Sequence, residues 1–157
     1  MAGFILGLWI VTAVGGSYLW SFTTGVGRPE STARSSSLPP SVLFLHPLVG
    51  LTGFSTWVGY LYVGGDVLPW VAFGLLVTGA LLGDVLVMRT LRPRAPALLG
   101  AVPADQDPEH SLDENAVANA RRAEDLIPRP VIVMHGVLAA LLMLLVFLVA
   151  VGVGTSG

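Results

Sequence analysis

Residues 130–153, PVIVMHGVLAALLMLLVFLVAVGV, form one apolar run long enough to cross a bilayer, and that length decides the fold class. Hydrocarbon about 30 Å thick calls for about 20 residues of helix, and only helices and closed barrels satisfy every backbone group within it. The run does not alternate polar with apolar residues as a barrel strand does, so it reads as a spanning helix. It is entered through Arg129 and holds a single ionisable side chain, His135, a turn and a half from that entrance. An ionisable group at that position costs free energy and is by default a candidate for function.

Working outward, three more runs meet the same length: residues 3–22, 40–63 and 68–88. With 130–153 they predict an all-α integral membrane four-helix bundle, a single membrane domain over residues 1–157. Composition agrees, since 54% of residues are hydrophobic and only 11% charged, outside the range of soluble domains. The lipid bilayer is therefore the first partner of the chain. The N-terminal run has neither a basic leader nor a convincing small-residue cleavage site, and it is expected to be an uncleaved first helix.

The eight basic residues are all arginine, and every one lies in segments 23–39 or 89–129. The short Gly64-Gly65-Asp66-Val67 connection and the termini have none. The positive-inside tendency then makes 23–39 and 89–129 cytoplasmic loops and puts both termini outside, in a bacterial inner (cytoplasmic) membrane. So tight a connection also makes the second and third helices antiparallel neighbours. Within the longer loop, Ser111-Leu112-Asp113-Glu114 resembles a capping box and predicts a short helix to about Leu126. His110, in the same polar segment, is expected to be solvated.

The second run, PSVLFLHPLVGLTGFSTWVGYLYV, repeats the pattern of the fourth, with His46 six residues after Pro40 where His135 is five after Pro130. Val11-Thr12-Ala13 likewise parallels Val77-Thr78-Gly79. Two repeated helical hairpins, related by an axis along the membrane normal, would produce both similarities. Each histidine is then about 8–9 Å inside its helix start, on helices that run in the same direction. If the second helix began at Pro47 instead, His46 would lie at the membrane surface.

Two imidazoles at matched depth on parallel helices suit axial coordination of one haem b, which needs two neutral nitrogen donors and a gap between helices. His46 and His135 are the candidate metal ligands. Gly50, Gly53 and Gly136 are candidate lining residues, and Asp84 is a candidate for holding the second ring nitrogen of one histidine. Arg89 or Arg129 could meet the propionates. The competing reading makes the histidines near-interface residues bonded to neighbouring helices, Asp84 an acid paired with Arg89, and the glycines plain packing positions. Trp9, Tyr18, Trp20, Trp57, Tyr60 and Tyr62, placed towards helix ends, read as interfacial belts.

Other chemistry is excluded more directly. The absence of cysteine removes iron–sulfur ligation, thioether-linked haem and thiol catalysis. No phosphate-binding glycine loop, zinc motif or nucleophile elbow is present, so no catalytic residue is assigned. Nucleic-acid binding lacks a basic aromatic surface.

Leu45-His46-Pro47, Met134-His135-Gly136 and the four-helix layout resemble small bacterial four-helix membrane proteins, akin to b-type cytochrome bundles and to membrane families with a His-Pro element. The resemblance covers the spans and not residues 89–129. It implies haem b, electron transfer or redox sensing, and association with a larger membrane or respiratory complex. Members with two haems carry four histidines at both membrane sides, whereas two on one side imply at most one haem. Two further functions stay open: a cofactor-free accessory or scaffold subunit of a larger complex, and small-solute transport by a homo-oligomer.

Overall fold

The computed structural model describes residues 1–24, 38–91 and 127–153. Among these residues there are four helices and no strand: α1 (Ala2–Thr24), α2 (Pro40–Val63), α3 (Val67–Thr90) and α4 (Arg129–Ala150). All four are long and apolar enough to cross a membrane, making this an all-α, multi-pass membrane bundle. At 1.5 Å per residue the helices are about 33–36 Å long, slightly more than the hydrocarbon thickness. The helix expected after Ser111, and His110, lie outside the described residues.

Helix ends follow local chemistry. Prolines occupy the first turns of α2 and α4, where a missing N–H removes no intrahelical bond. α2 starts at Pro40 and continues through Pro47, which keeps His46 within the helix and costs the bond that Pro47 would have donated to Leu43. The turn from α2 to α3 needs two glycines, because Gly64 and Gly65 have φ of 71° and 88°. α4 stops at Ala150, short of the expected Val153. Gly152 adopts φ 87°, and the Val153 and Gly152 amides bond back to the Leu148 and Val149 carbonyls in a Schellman cap.

Packing runs round a ring, α1 on α2, α2 on α3, α3 on α4 and α4 on α1, with α2 and α3 the closest pair. Neighbours are antiparallel, so α2 and α4 are parallel and face each other across one diagonal. We call the end holding the Gly64–Gly65 turn the turn end, and the opposite one the loop end. The main core lies towards the turn end: Ile5, Trp9, Trp57, Ala72, Leu142, Val146 and Val149 are buried together. Trp57 is fully buried, stacks on Trp9 at 6.4 Å and reaches the Ala2 carbonyl with its Nε1–H at 3.4 Å. Trp9 and Trp57 are therefore core residues and not the interfacial belt their sequence positions suggested. Gly53 makes room for them, since a Cβ there would come within 3.0 Å of the Trp9 ring. Towards the loop end the buried apolar residues are Phe22, Leu38 and Leu43, separate from the main cluster. The histidines occupy the layer between these two regions.

Candidate functional site: a facing histidine pair

His46 and His135 meet across the α2–α4 diagonal. Their ring centroids are 6.3 Å apart and the ring planes lie at 70° to each other. Both side chains are partly buried. Their neighbours on the adjacent helices set their depth: Gly83 stands seven residues before the end of α3, and Gly16 eight before the end of α1. The pair is thus about 10–12 Å inside the loop end of those helices.

Each ring leans on the next helix round the ring. His46 crosses to α3, where its Nδ1–H donates to the Gly79 carbonyl at 2.9 Å. A carbonyl can only accept, so the proton is on Nδ1 and the Nε2 lone pair is free in the neutral ring. The ring also lies over Gly83, where a Cβ would stand 3.2 Å from its Cε1. His135 crosses to α1 in the same manner. A Cβ on Gly16 would be 3.0 Å from its Cε1, and one on Gly15 3.7 Å from its Nδ1. The Thr12 backbone lies beside the ring as the partner in reach of the buried Nδ1 of His135, a looser contact than that of His46 on Gly79. Trp20 Nε1, one turn from Gly16 on the same face of α1, is buried with no hydrogen-bond partner among the described residues. The Trp20 indole packs edge-on against Phe44 of α2 at 5.8 Å.

The glycines that receive the rings are Gly15, Gly16, Gly79 and Gly83, none of them among the lining residues expected from the sequence. Gly53 serves Trp9 and Leu75 instead, two turns nearer the turn end, and a Cβ on Gly50 or Gly136 would meet nothing within 4 Å. Asp84 is exposed, and the role foreseen for it on a ring nitrogen is taken at His46 by the Gly79 carbonyl. Rotation explains these outcomes: residues adjacent in sequence are turned by 100°, so Asp84 beside Gly83, and Gly136 beside His135, point elsewhere. Arg89 and Arg129 are both exposed at the loop end.

No match is found among family models, curated proteins or solved structures. The chemistry must accordingly be read from the pair itself. Among the described residues no group of three or more His, Asp or Glu side chains converges. A bare zinc ion wants three or four protein ligands, so a pair of imidazoles suits a metal that brings its remaining ligands with it.

Proposed function

We propose that this chain binds one haem b between α2 and α4, with His46 and His135 as axial ligands, for electron transfer or redox sensing in a bacterial cytoplasmic membrane. The 6.3 Å separation of the imidazoles is the observation that carries this reading. A separation of this order would leave room for one metal between the two imidazoles, at metal–nitrogen bonds of about 2.0–2.1 Å. Support also comes from the donor set. Two imidazole nitrogens, with no third ligand converging on them among the described residues, match an iron already held by a macrocycle.

The residues divide the work. Nε2 of His46 and Nε2 of His135 would hold the iron from its two faces, and the Gly79 carbonyl keeps the His46 ring in the tautomer that ligation needs. Arg89 and Arg129 are the described cations at the loop end, suited to propionates emerging there. Bound haem supplies reversible one-electron chemistry. Gly16 and Gly83 let both imidazoles tuck against backbone, and the turn-end core excludes water from one side of the pair.

Arginine placement orients this arrangement. Both long connections face the cytoplasm and both termini the outside, so the histidine layer lies nearer the cytoplasm. Electron exchange is then with a cytoplasmic-side partner, a larger membrane or respiratory complex. An absorption spectrum of the detergent-purified, haem-replete protein, oxidised and then dithionite-reduced, tests the proposal. A sharp reduced b-type band that weakens in His46→Ala and His135→Ala is expected. A flat spectrum would overturn it and favour the accessory-subunit role.

A further inference from the structure

The outer face of α3 repeats every seven residues. Val71, Thr78 and Val85 form one row and Gly74, Leu81 and Met88 the other, and all six are exposed. The buried Pro69, Ala72 and Gly79 lie on the opposite side of the helix, towards α2 and α4. Alternating steps of four and three residues are the pattern by which one helix packs on another in a left-handed pair. The Thr78 hydroxyl donates to the Gly74 carbonyl at 2.9 Å, so its polarity is satisfied within the helix. Gly74 is open, with nothing within 4 Å of a Cβ there, and lets a second backbone approach closely.

Opposite charges flank this stripe. Asp84, the one acid in the four described helices, precedes Val85 on one side, and Arg89 follows Met88 on the other. They stand about 140° apart round the helix, too far to pair within one chain, where partners are three or four residues apart. Both are exposed, and Asp84 lies six residues, about 9 Å, inside the end of α3. A carboxylate at that depth is costly without a partner. The positions just before one row and just after the other are those that form salt bridges between parallel paired helices. Helical side chains lean towards the N-terminus, so the arginine stem covers the difference in depth.

We propose that the chain dimerises through α3, with Asp84 of each copy paired to Arg89 of the other. Two copies inserted in the same direction present α3 in parallel, and a two-fold axis along the membrane normal makes the contact twice. No other helix carries an acid, so no other face of the bundle offers matched charge. The proposal stands without haem. Gly79 and Gly83, which meet His46, are on the inner side of α3 and are left untouched.

Charge reversal tests the pairing. The chain has no native cysteine, so Asp66→Cys in the turn can carry a donor or an acceptor dye, and energy transfer is followed in phosphatidylcholine vesicles as lipid dilutes the protein. The full chain without further change is expected to show transfer. Asp84→Arg and Arg89→Asp, each alone, set like charges at both contacts and should weaken association about 10–100-fold, as the loss of two close charge pairs does. A one-to-one mixture of the two variants restores opposite charges at both contacts, and transfer should return. Asp84→Asn and Arg89→Gln ask the same without added charge: the double variant should associate no more weakly than either single one. Absence of transfer in the unreversed chain overturns the proposal. Transfer that neither reversal weakens overturns it too, because the copies then meet on another face. A mixture that fails to recover, together with additive losses in the neutral variants, also overturns it and assigns the two charges to a different partner.

Discussion

Replacing the two glycines beneath the imidazoles measures whether the rings are seated as described, with or without any cofactor. In Gly16→Ala the new methyl would stand 3.0 Å from His135 Cε1, and in Gly83→Ala 3.2 Å from His46 Cε1. Carbon pairs prefer about 3.5–4.0 Å, so each ring must withdraw by several tenths of an ångström. At Gly83 that movement strains the 2.9 Å bond to Gly79 on the same helix. Overpacking of this kind costs about 1–3 kcal/mol. Removing a mid-helix glycine returns about 0.5–1 kcal/mol through backbone entropy. The net expectation is a loss of about 0–2.5 kcal/mol. Gly74→Ala is the control, since its methyl meets nothing within 4 Å and only the entropic gain applies. The two site variants should therefore lie about 1–3 kcal/mol below the control in equilibrium unfolding in mixed micelles, followed by circular dichroism. If Gly16→Ala and Gly83→Ala are stabilised as much as Gly74→Ala, the imidazoles do not rest on α1 and α3 and the site geometry is wrong.

Trp57→Ala removes a fully buried indole from the turn-end core and should cost about 3–5 kcal/mol or somewhat less, since lipid lacks the aqueous driving force; a change under about 1 kcal/mol in the same unfolding assay would displace the core from that region. Asp84→Asn should leave bundle stability and any haem spectrum unchanged, because the carboxylate is exposed and the His46 nitrogen is bonded elsewhere; a shifted band would return Asp84 to the site. The chain has no native cysteine, so single cysteines report topology cleanly. In intact cells, Asp66→Cys in the turn should react with a membrane-impermeant maleimide and Ser35→Cys should not, and the reverse pattern would invert the orientation.

The fold was open to reading because the bilayer imposes a length that four apolar runs meet, and boundaries fell close wherever proline or glycine punctuates the chain. Pro40 opens α2 and the Gly64–Gly65 pair closes it as expected. α4 ended early because Val151–Val153 are as apolar as the helix before them, and only the positive φ of Gly152 betrays the cap. At the site, the histidines could be found because charge-capable groups are rare in such runs. Their surroundings could not, because the choice of facing glycine depends on helix rotation, and the moderate spacing of glycines on every helix suits several rotations. Gly15 and Gly16 carry no mark in the sequence beyond being small residues on α1. A signal was present in their placement: Gly16 is followed one turn later by Trp20 as Gly83 is by Val87, and each glycine faces the opposite hairpin's histidine. The aromatic belts misled for a related reason. Trp9 and Trp57 stand towards helix ends in number, but Gly53 provides a slot that draws the Trp9 ring inward.

The internal repeat acquires a physical register from the site. Aligning Thr12 with Thr78, as their shared Val-Thr pairs invite, matches hydroxyls that bond back to their own helices, at Leu8 and Gly74. Aligning Thr12 with Gly79 instead matches the backbone positions beside the two imidazoles, and the same shift carries Gly16 onto Gly83, the two seats of the rings. The second alignment is the one that packing enforces. A carbonyl and, one turn later, a glycine form a socket on α3 for His46 and on α1 for His135, which is what an axis along the membrane normal would produce from two similar hairpins. The sockets differ in closeness: Gly79 accepts from His46 at 2.9 Å, and the Thr12 backbone holds His135 more loosely. A symmetric pair of hairpins would thereby supply two imidazoles at one depth, each seated on the opposite hairpin.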